Sequence, residues 1–153
     1  MRCSTRTRPR VADQHPRGLL DTSVLIDLES LDPLSLPEAG AVAAITLAEL
    51  AAGPHAATDP VERARRQARL QWVERTFDVL PFDVESARAY GVIYATVTAL
   101  GRKARGARAS DLLIAATAAG AGLPLYTCNP RDFAGLADAV EVVAVPRSRP
   151  STD

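Results

Sequence analysis

Apolar residues along this chain fall into two alternating kinds of run. Short, nearly continuous stretches ("GLL" at 18–20, "AVAAI" at 41–45, "DVLPF" at 78–82, "LPLYTCN" at 123–129 and "VEVVAV" at 140–145) have the length and composition of strands buried on both faces. Between them lie segments with helical spacing. "DTSVLIDLE" carries the first strand straight into a helix, and Thr46 reads as the N-cap of a second one closed by Gly53-Pro54. Asp59 and Pro60 stand as cap and first residue of a third helix, on which Val61, Leu70, Val73 and Phe77 form one apolar stripe. Asp83 caps a long helix to about Leu100. A basic loop, "GRKARGARA", then leads to the helix "SDLLIAATAAGAG", and "PRDFAGL" reads as a short helical turn. Strands alternating with helices in this way predict a three-layer α/β/α sandwich around a mostly parallel sheet of about five strands.

The 153 residues are enough for one domain with a proper core. The pattern places that domain at 17–146, with an unstructured N-terminal extension at 1–16 and an unstructured tail at 147–153.

In an open parallel sheet, ligand sites form outside the carboxyl ends of the strands. Asp21 directly follows the first strand, Glu49 lies one turn into the helix after the second, and Asn129 follows the fourth with Asp132 three residues on. Asp111 joins them from a helix start. Singly, several of these have a local explanation. Asp21 and Ser110-Asp111 suit helix caps, and Asn129-Pro130 with Asp132 reads as a cap followed by proline at the first position. Glu49 does not, because "ITLAELAAG" is otherwise apolar or small.

Together the acids ask for a counter-charge. Two carboxylates 4 Å apart repel by ~1 kcal/mol in water and by about four times that at an effective dielectric near 20. An oxygen-only donor set without neighbouring His or Cys suits the hard cations Mg²⁺ and Mn²⁺. Carboxylate-held Mg²⁺ is the usual apparatus for in-line attack on a phosphodiester.

Charge distribution sharpens this. The formal net charge is zero, but Lys103 is the one lysine among 18 basic residues. The arginines gather at 2–17, 63–69 and 102–108, and the guanidinium fork suits phosphate. Arg102, Lys103, Arg105 and Arg108 immediately precede Asp111, which makes that loop the candidate contact for a substrate's phosphate backbone, RNA if the resemblance described below holds. The 63–69 cluster reads equally as a solvated helix face. Cys3 and Cys128 stand in dissimilar contexts, and neither His15 nor His55 has ligand spacing to them. A disulfide and a zinc site are therefore not expected, and a reducing cytoplasm is. No apolar run reaches the ~20 residues of a membrane span.

Other chemistries fit poorly. A dehalogenase-type phosphatase needs Asp-x-Asp after the first strand, a dinucleotide enzyme needs a glycine-rich first turn, and a receiver domain needs a lysine at a late strand end. None is present.

"LLDTSVLIDL", "ITLAEL", "ASDLLIAATA" and "YTCNPRDFAGL" resemble, in order and spacing, the four signature segments of the PIN domain, over about residues 18–145. The likeness is greatest to the VapC toxins of bacterial type II toxin–antitoxin systems. It implies a Mg²⁺-dependent endoribonuclease that blocks translation or growth until a VapB-like antitoxin covers it, often presenting an arginine to the acids, and that commonly forms a homodimer. By this resemblance Asp21, Glu49 and Asp111 take the positions of the metal-site acids. Asn129 and Asp132 complete the candidate metal site, but Asn129 departs from the pattern, because many family members carry an acid there. Either Asp132 supplies the fourth carboxylate, or a second metal is held weakly until the RNA phosphate arrives. Thr22, Ser23 and Ser110 are candidate hydroxyls for orienting the acids. The helix at 61–77, with Trp72 and Phe77, is the candidate antitoxin groove or dimer contact, unless those rings pack the core. The departure at 129 also leaves open a catalytically weakened PIN-fold module that binds RNA or protein.

Overall fold

A computed structural model describes residues 15–147. The chain order is β1 (Arg17–Leu20), α1 (Thr22–Asp27), β2 (Ala39–Ala43), α2 (Ala44–Ala56), α3 (Pro60–Thr76), β3 (Asp78–Leu80), α4 (Val84–Ala99), α5 (Ala107–Ala121), β4 (Leu125–Thr127) and β5 (Val142–Ala144). Short 3-10 turns cover Leu28–Ser30, Pro33–Ser35 and Pro130–Phe133. The five strands form one parallel sheet in the order β3-β2-β1-β4-β5. From β1 at its centre the chain winds outward to β3, returns beside β1 as β4, and ends at β5. The reversal lies between β1 and β4, and the crevice beyond their carboxyl ends is where doubly wound sheets place their ligands.

Alternation along each strand feeds two cores. Leu19, Ala41, Ala43 and Leu125 face one side, where they meet Ile93 and Val97 of α4 and Leu112, Ile114 and Ala115 of α5. Leu20, Val42 and Tyr126 face the other, against Val24 and Leu25 of α1, Leu50 of α2 and Val73 of α3. The three-layer sandwich expected from the alternating runs is therefore present. Gly120 allows α5 to lie close against α4: a Cβ there would stand 2.6 Å from the Ser86 backbone nitrogen.

Several boundaries differ from the sequence reading. Thr46 does not cap α2. The helix starts two residues earlier at Ala44, and Thr46 is fully buried with its hydroxyl unpartnered among the described residues. Pro54 lies inside α2, which runs on to Ala56, because a proline near a helix C-terminus forfeits only one of the last hydrogen bonds. The basic loop ends at Gly106, whose φ of +66° reverses the chain, so α5 begins at Ala107. Ser110 and Asp111 thus sit a full turn inside α5 and do not open it. Asp59 and Asp83 do cap α3 and α4, accepting from the backbone N–H groups of Glu62 and Ser86.

Of the expected N-terminal extension, residues 1–14 lie outside the described residues, as do 148–153 of the expected tail. His15 pairs with Glu141 at 2.9 Å, and Pro16 accepts a backbone hydrogen bond from Ala39. At the other end Arg147 is bound into the domain.

Candidate active site

Asp21 is 5 % exposed at the exit of β1, and both its carboxylate oxygens are engaged. Oδ1 accepts from the backbone N–H groups of Ser23 at 2.8 Å and Val24 at 3.2 Å, and from the Ser23 hydroxyl. Oδ2 accepts from the Thr127 hydroxyl at 2.6 Å. Those two hydroxyls are themselves fixed from β4's exit. The Cys128 N–H donates to Ser23 Oγ at 3.0 Å, and the Asn129 N–H donates to Thr127 Oγ1 at 2.9 Å. Two main-chain donors beyond β4 thus orient the carboxylate beyond β1 through one hydroxyl each. Asp21 does cap α1, from the exit of β1.

Glu49, on α2, accepts from the Thr22 hydroxyl at 2.8 Å, which joins α1 to α2 across the crevice. Asp111 approaches from α5, and Asp132 from the 3-10 turn after β4. The carboxyl group of Asp111 is pushed up to about 6 by burial, then by the negative charges of Asp132, Asp21 and Glu49, with Arg108 opposing them. All four predicted acids therefore share one electrostatic neighbourhood. Among the described residues, no three His, Cys, Asp or Glu side chains close on a single point as a metal-holding group. The four carboxylates come from four separate elements and interact through their charges. All-oxygen donors with unrelieved mutual repulsion fit a hard divalent cation.

The supporting groups divide. Thr22 and Ser23 hold Glu49 and Asp21 as expected. The Ser110 hydroxyl bonds to none of the acids among the described residues. Thr127 takes that kind of role instead and was missed. Its signal was a polar residue closing the otherwise apolar strand run of "LPLYT". The Asn129 side chain makes no capping bond; its Oδ1 accepts from Arg147 Nη1 at 3.2 Å.

In the basic loop, Arg102 is tied down, donating to the Ala134 carbonyl at 2.9 Å, while Lys103 and Arg105 are exposed. A groove of about 440 Å³ leaves the crevice at Thr22 and Glu49 and passes between α1, α2 and α3 along Arg65, Arg66 and Arg69. It continues, through the shared Ile26, Arg65 and Arg69, into a space of about 850 Å³ floored by Leu25 and Leu28 and edged by Trp72. Arg66 is neutralised by Glu62 at 2.9 Å, whereas Arg69 has no carboxylate within ion-pair distance among the described residues. Trp72 and Phe77 meet edge to face at 5.4 Å, with Phe77 packed on the core and Trp72 39 % exposed. Phe77 therefore packs the core, while Trp72 is only partly covered. Cys128 is a free thiol, and Cys3 lies outside the described residues. No helix of the described residues is long and apolar enough to cross a membrane.

Comparison with known proteins places these features in a family. The model of the PIN domain family matches residues 18–139. Ribonuclease VapC5 of Mycobacterium tuberculosis is 40% identical over 133 residues, which is 84% of this chain and 95% of that protein. Ribonuclease VapC of Rickettsia bellii is 32% identical over 132 residues, 84% of this chain and 96% of that protein. Among solved structures, a chain of VapBC-5 from Mycobacterium tuberculosis, described as a member of the VapBC family of toxin–antitoxin systems, superposes with a TM-score of 0.74 at 37% identity. It covers 86% of this chain and 98% of its own length.

Proposed function

Since the chain belongs to the PIN domain family, and within it to the VapC ribonucleases, we propose that it is the toxin of a type II toxin–antitoxin pair and acts as a Mg²⁺-dependent endoribonuclease. The observation that carries this reading is the gathering of four acids from separate elements around the sheet's reversal point, where burial, and after it the charges of Asp132, Asp21 and Glu49, push the Asp111 carboxyl group up to about 6. Asp21, Glu49, Asp111 and Asp132 would hold the ion, with Mn²⁺ as a workable substitute. When bound, the cation supplies charge neutralisation at the scissile phosphate and a Lewis acid for the attacking water.

The remaining work falls to the chain's own residues. Ser23 and Thr127 hold the Asp21 carboxylate in one orientation, so no reorganisation is needed when substrate arrives. Thr22 does the same for Glu49. Lys103 and Arg105 stand exposed on the loop that leads to Asp111 and are available to RNA phosphates. In-line hydrolysis at such a site leaves a 3′-hydroxyl and a 5′-phosphate.

The groove beside Glu49 suits the antitoxin. Its apolar patch at Ile26, Leu25 and Leu28, rimmed by Arg65 and Arg69 and also by Glu29 and Glu62, calls for an amphipathic segment carrying charges of both signs, which would cover the crevice from the α1 and α3 side.

Cleavage of total RNA by the purified chain, with Mg²⁺ and with EDTA, tests the activity. Cleavage should require the metal and should fall at least a hundredfold in Asp21→Asn. Full cleavage by Asp21→Asn, or undiminished cleavage in EDTA, would overturn the assignment. Binding without any cleavage would instead favour a PIN-fold module that only binds.

A further inference from the structure

The segment after β5 is fastened to the active-site crevice by one side chain. Arg147 Nε donates to Asp27 Oδ2, at the end of α1, at 2.6 Å. Its Nη1 donates to Asn129 Oδ1 at 3.2 Å and to the Cys128 carbonyl at 3.5 Å. The backbone at 147 also makes an antiparallel bridge with Leu31. One guanidinium thus clasps the end of α1 to the exit of β4.

The clasp decides what Asn129 can offer. A primary amide has an acceptor end and a donor end, and an arginine has only donors. With Arg147 on one side, the amide oxygen is the atom turned toward it, and the NH₂ is what remains. Hard cations are ligated through oxygen, and Arg147 takes one of this oxygen's two lone pairs and sets a positive charge beside it, which opposes a divalent cation there. A phosphate oxygen is the natural acceptor for the NH₂. Asp21 does not need that donor, because both its oxygens are already served. The backbone of Asn129 is fixed as well, through its N–H to Thr127 and so to Asp21. The residue is therefore anchored at both ends, two hydrogen bonds away from the Asp21 carboxylate.

We infer that Asn129 contributes no metal ligand but donates a hydrogen bond to the RNA phosphate, and that Arg147, held by Asp27, is the positioning residue that sets its orientation. This rests on the reading of the crevice as a metal-dependent RNA-cleaving site.

The test uses the full chain and two readouts: Mn²⁺ affinity without RNA, by calorimetric titration, and kcat/KM on an RNA oligonucleotide with Mg²⁺. Asn129→Ala and Arg147→Ala should bind Mn²⁺ within about twofold of the parent chain, while kcat/KM falls about tenfold or more, as for a lost hydrogen bond to a charged group. The double variant should be no worse than Asn129→Ala, because Arg147 acts through Asn129. Arg147→Lys should be intermediate, since an ammonium lacks the fork that reaches both partners.

A tenfold loss of Mn²⁺ affinity in Asn129→Ala would make the residue a ligand and overturn the inference. Losses that multiply in the double variant would overturn the role of Arg147. Asn129→Ala leaves the Arg147–Asp27 pair in place, so the donor role remains testable even if Arg147→Ala unfolds. Asp21→Asn separates the two levels: Mn²⁺ affinity unchanged there would refute the metal site itself, whatever the Asn129 variants do.

Discussion

Asp111 offers a quantitative test of the whole cluster, because its charge is opposed by the fold. The carboxyl group has a pKa near 3.9 in an unfolded chain and is pushed up to about 6 in the folded one, first by burial and then by Asp132, Asp21 and Glu49. Between those values the folded chain holds a proton that the unfolded chain has released. Stability contributed by the protonated group is therefore complete below about pH 4 and is lost as pH rises through 6. At 1.36 kcal/mol per pH unit the full effect is ~3 kcal/mol, and partial solvation of Asp111 reduces it to about 1–2 kcal/mol.

Asp111→Asn mimics the neutral form at every pH. In EDTA at pH 7.5 it should melt higher than the parent chain by on the order of 5 °C. At pH 4 the two should melt together. Saturating Mg²⁺ should reverse the order, because a ligand present at 100 times its Kd adds ~2.7 kcal/mol to the parent and far less to a variant that has lost a ligating carboxylate. Differential scanning calorimetry over pH 4–8, with and without metal, measures all of this. If Asp111→Asn melts lower in EDTA at pH 7.5, or if the difference between the chains is the same at pH 4 and pH 7.5, the carboxylates do not form the repelling cluster described above.

Other consequences are simpler to check. Thr127→Val removes the donor to Asp21 Oδ2 and the acceptor of the Asn129 N–H inside a buried network, so it should cost about 1–3 kcal/mol in urea denaturation. It should also reduce RNA cleavage at least tenfold. Gly120→Ala would press a methyl group against the Ser86 backbone at 2.6 Å; read from the urea midpoint at constant m, it should lower stability by about 1–3 kcal/mol. Gly91→Ala, with nothing within 4 Å of the new Cβ and a place inside α4, should instead raise it by about 0.5–1 kcal/mol. Replacing both Lys103 and Arg105 with Gln should weaken RNA binding and flatten the log–log salt dependence by about 1.4, at ~0.7 per single-strand phosphate contact. An unchanged slope would remove the loop from the interface.

What the sequence disclosed and what it hid follow from range. Strand runs and aspartate caps are local patterns, so the sandwich, the capping of α3 and α4, and the placement of Asp21 and Glu49 at strand exits were all legible. The helix starts were not. Thr46 looks like a cap in isolation, but the core claims its side chain, and the backbone enters α2 from Ala43 without any side-chain cap. The start of α5 was hidden for a related reason: Gly106, with positive φ, ends the basic loop early, so Ser110 and Asp111 lie one turn inside the helix. The two most informative partners, Thr127 for Asp21 and Arg147 for Asn129, meet their targets only after the sheet has closed. Nothing in the segments around them announces the pairing. Arg147 even falls in a stretch whose composition reads as unstructured.

The bond from Thr127 to Asp21 spans 106 positions of the sequence, and this has a meaning for a growing chain. The arginine-lined groove is written in residues 22–72. The acid cluster, by contrast, is complete only when Asp111 and Asp132 have joined Asp21 and Glu49. During synthesis the surface that would receive an inhibitor is made roughly sixty residues before the catalytic centre can close, at ~5–20 residues per second a lead of several seconds. A partner already waiting at the ribosome could engage the chain while it is still harmless.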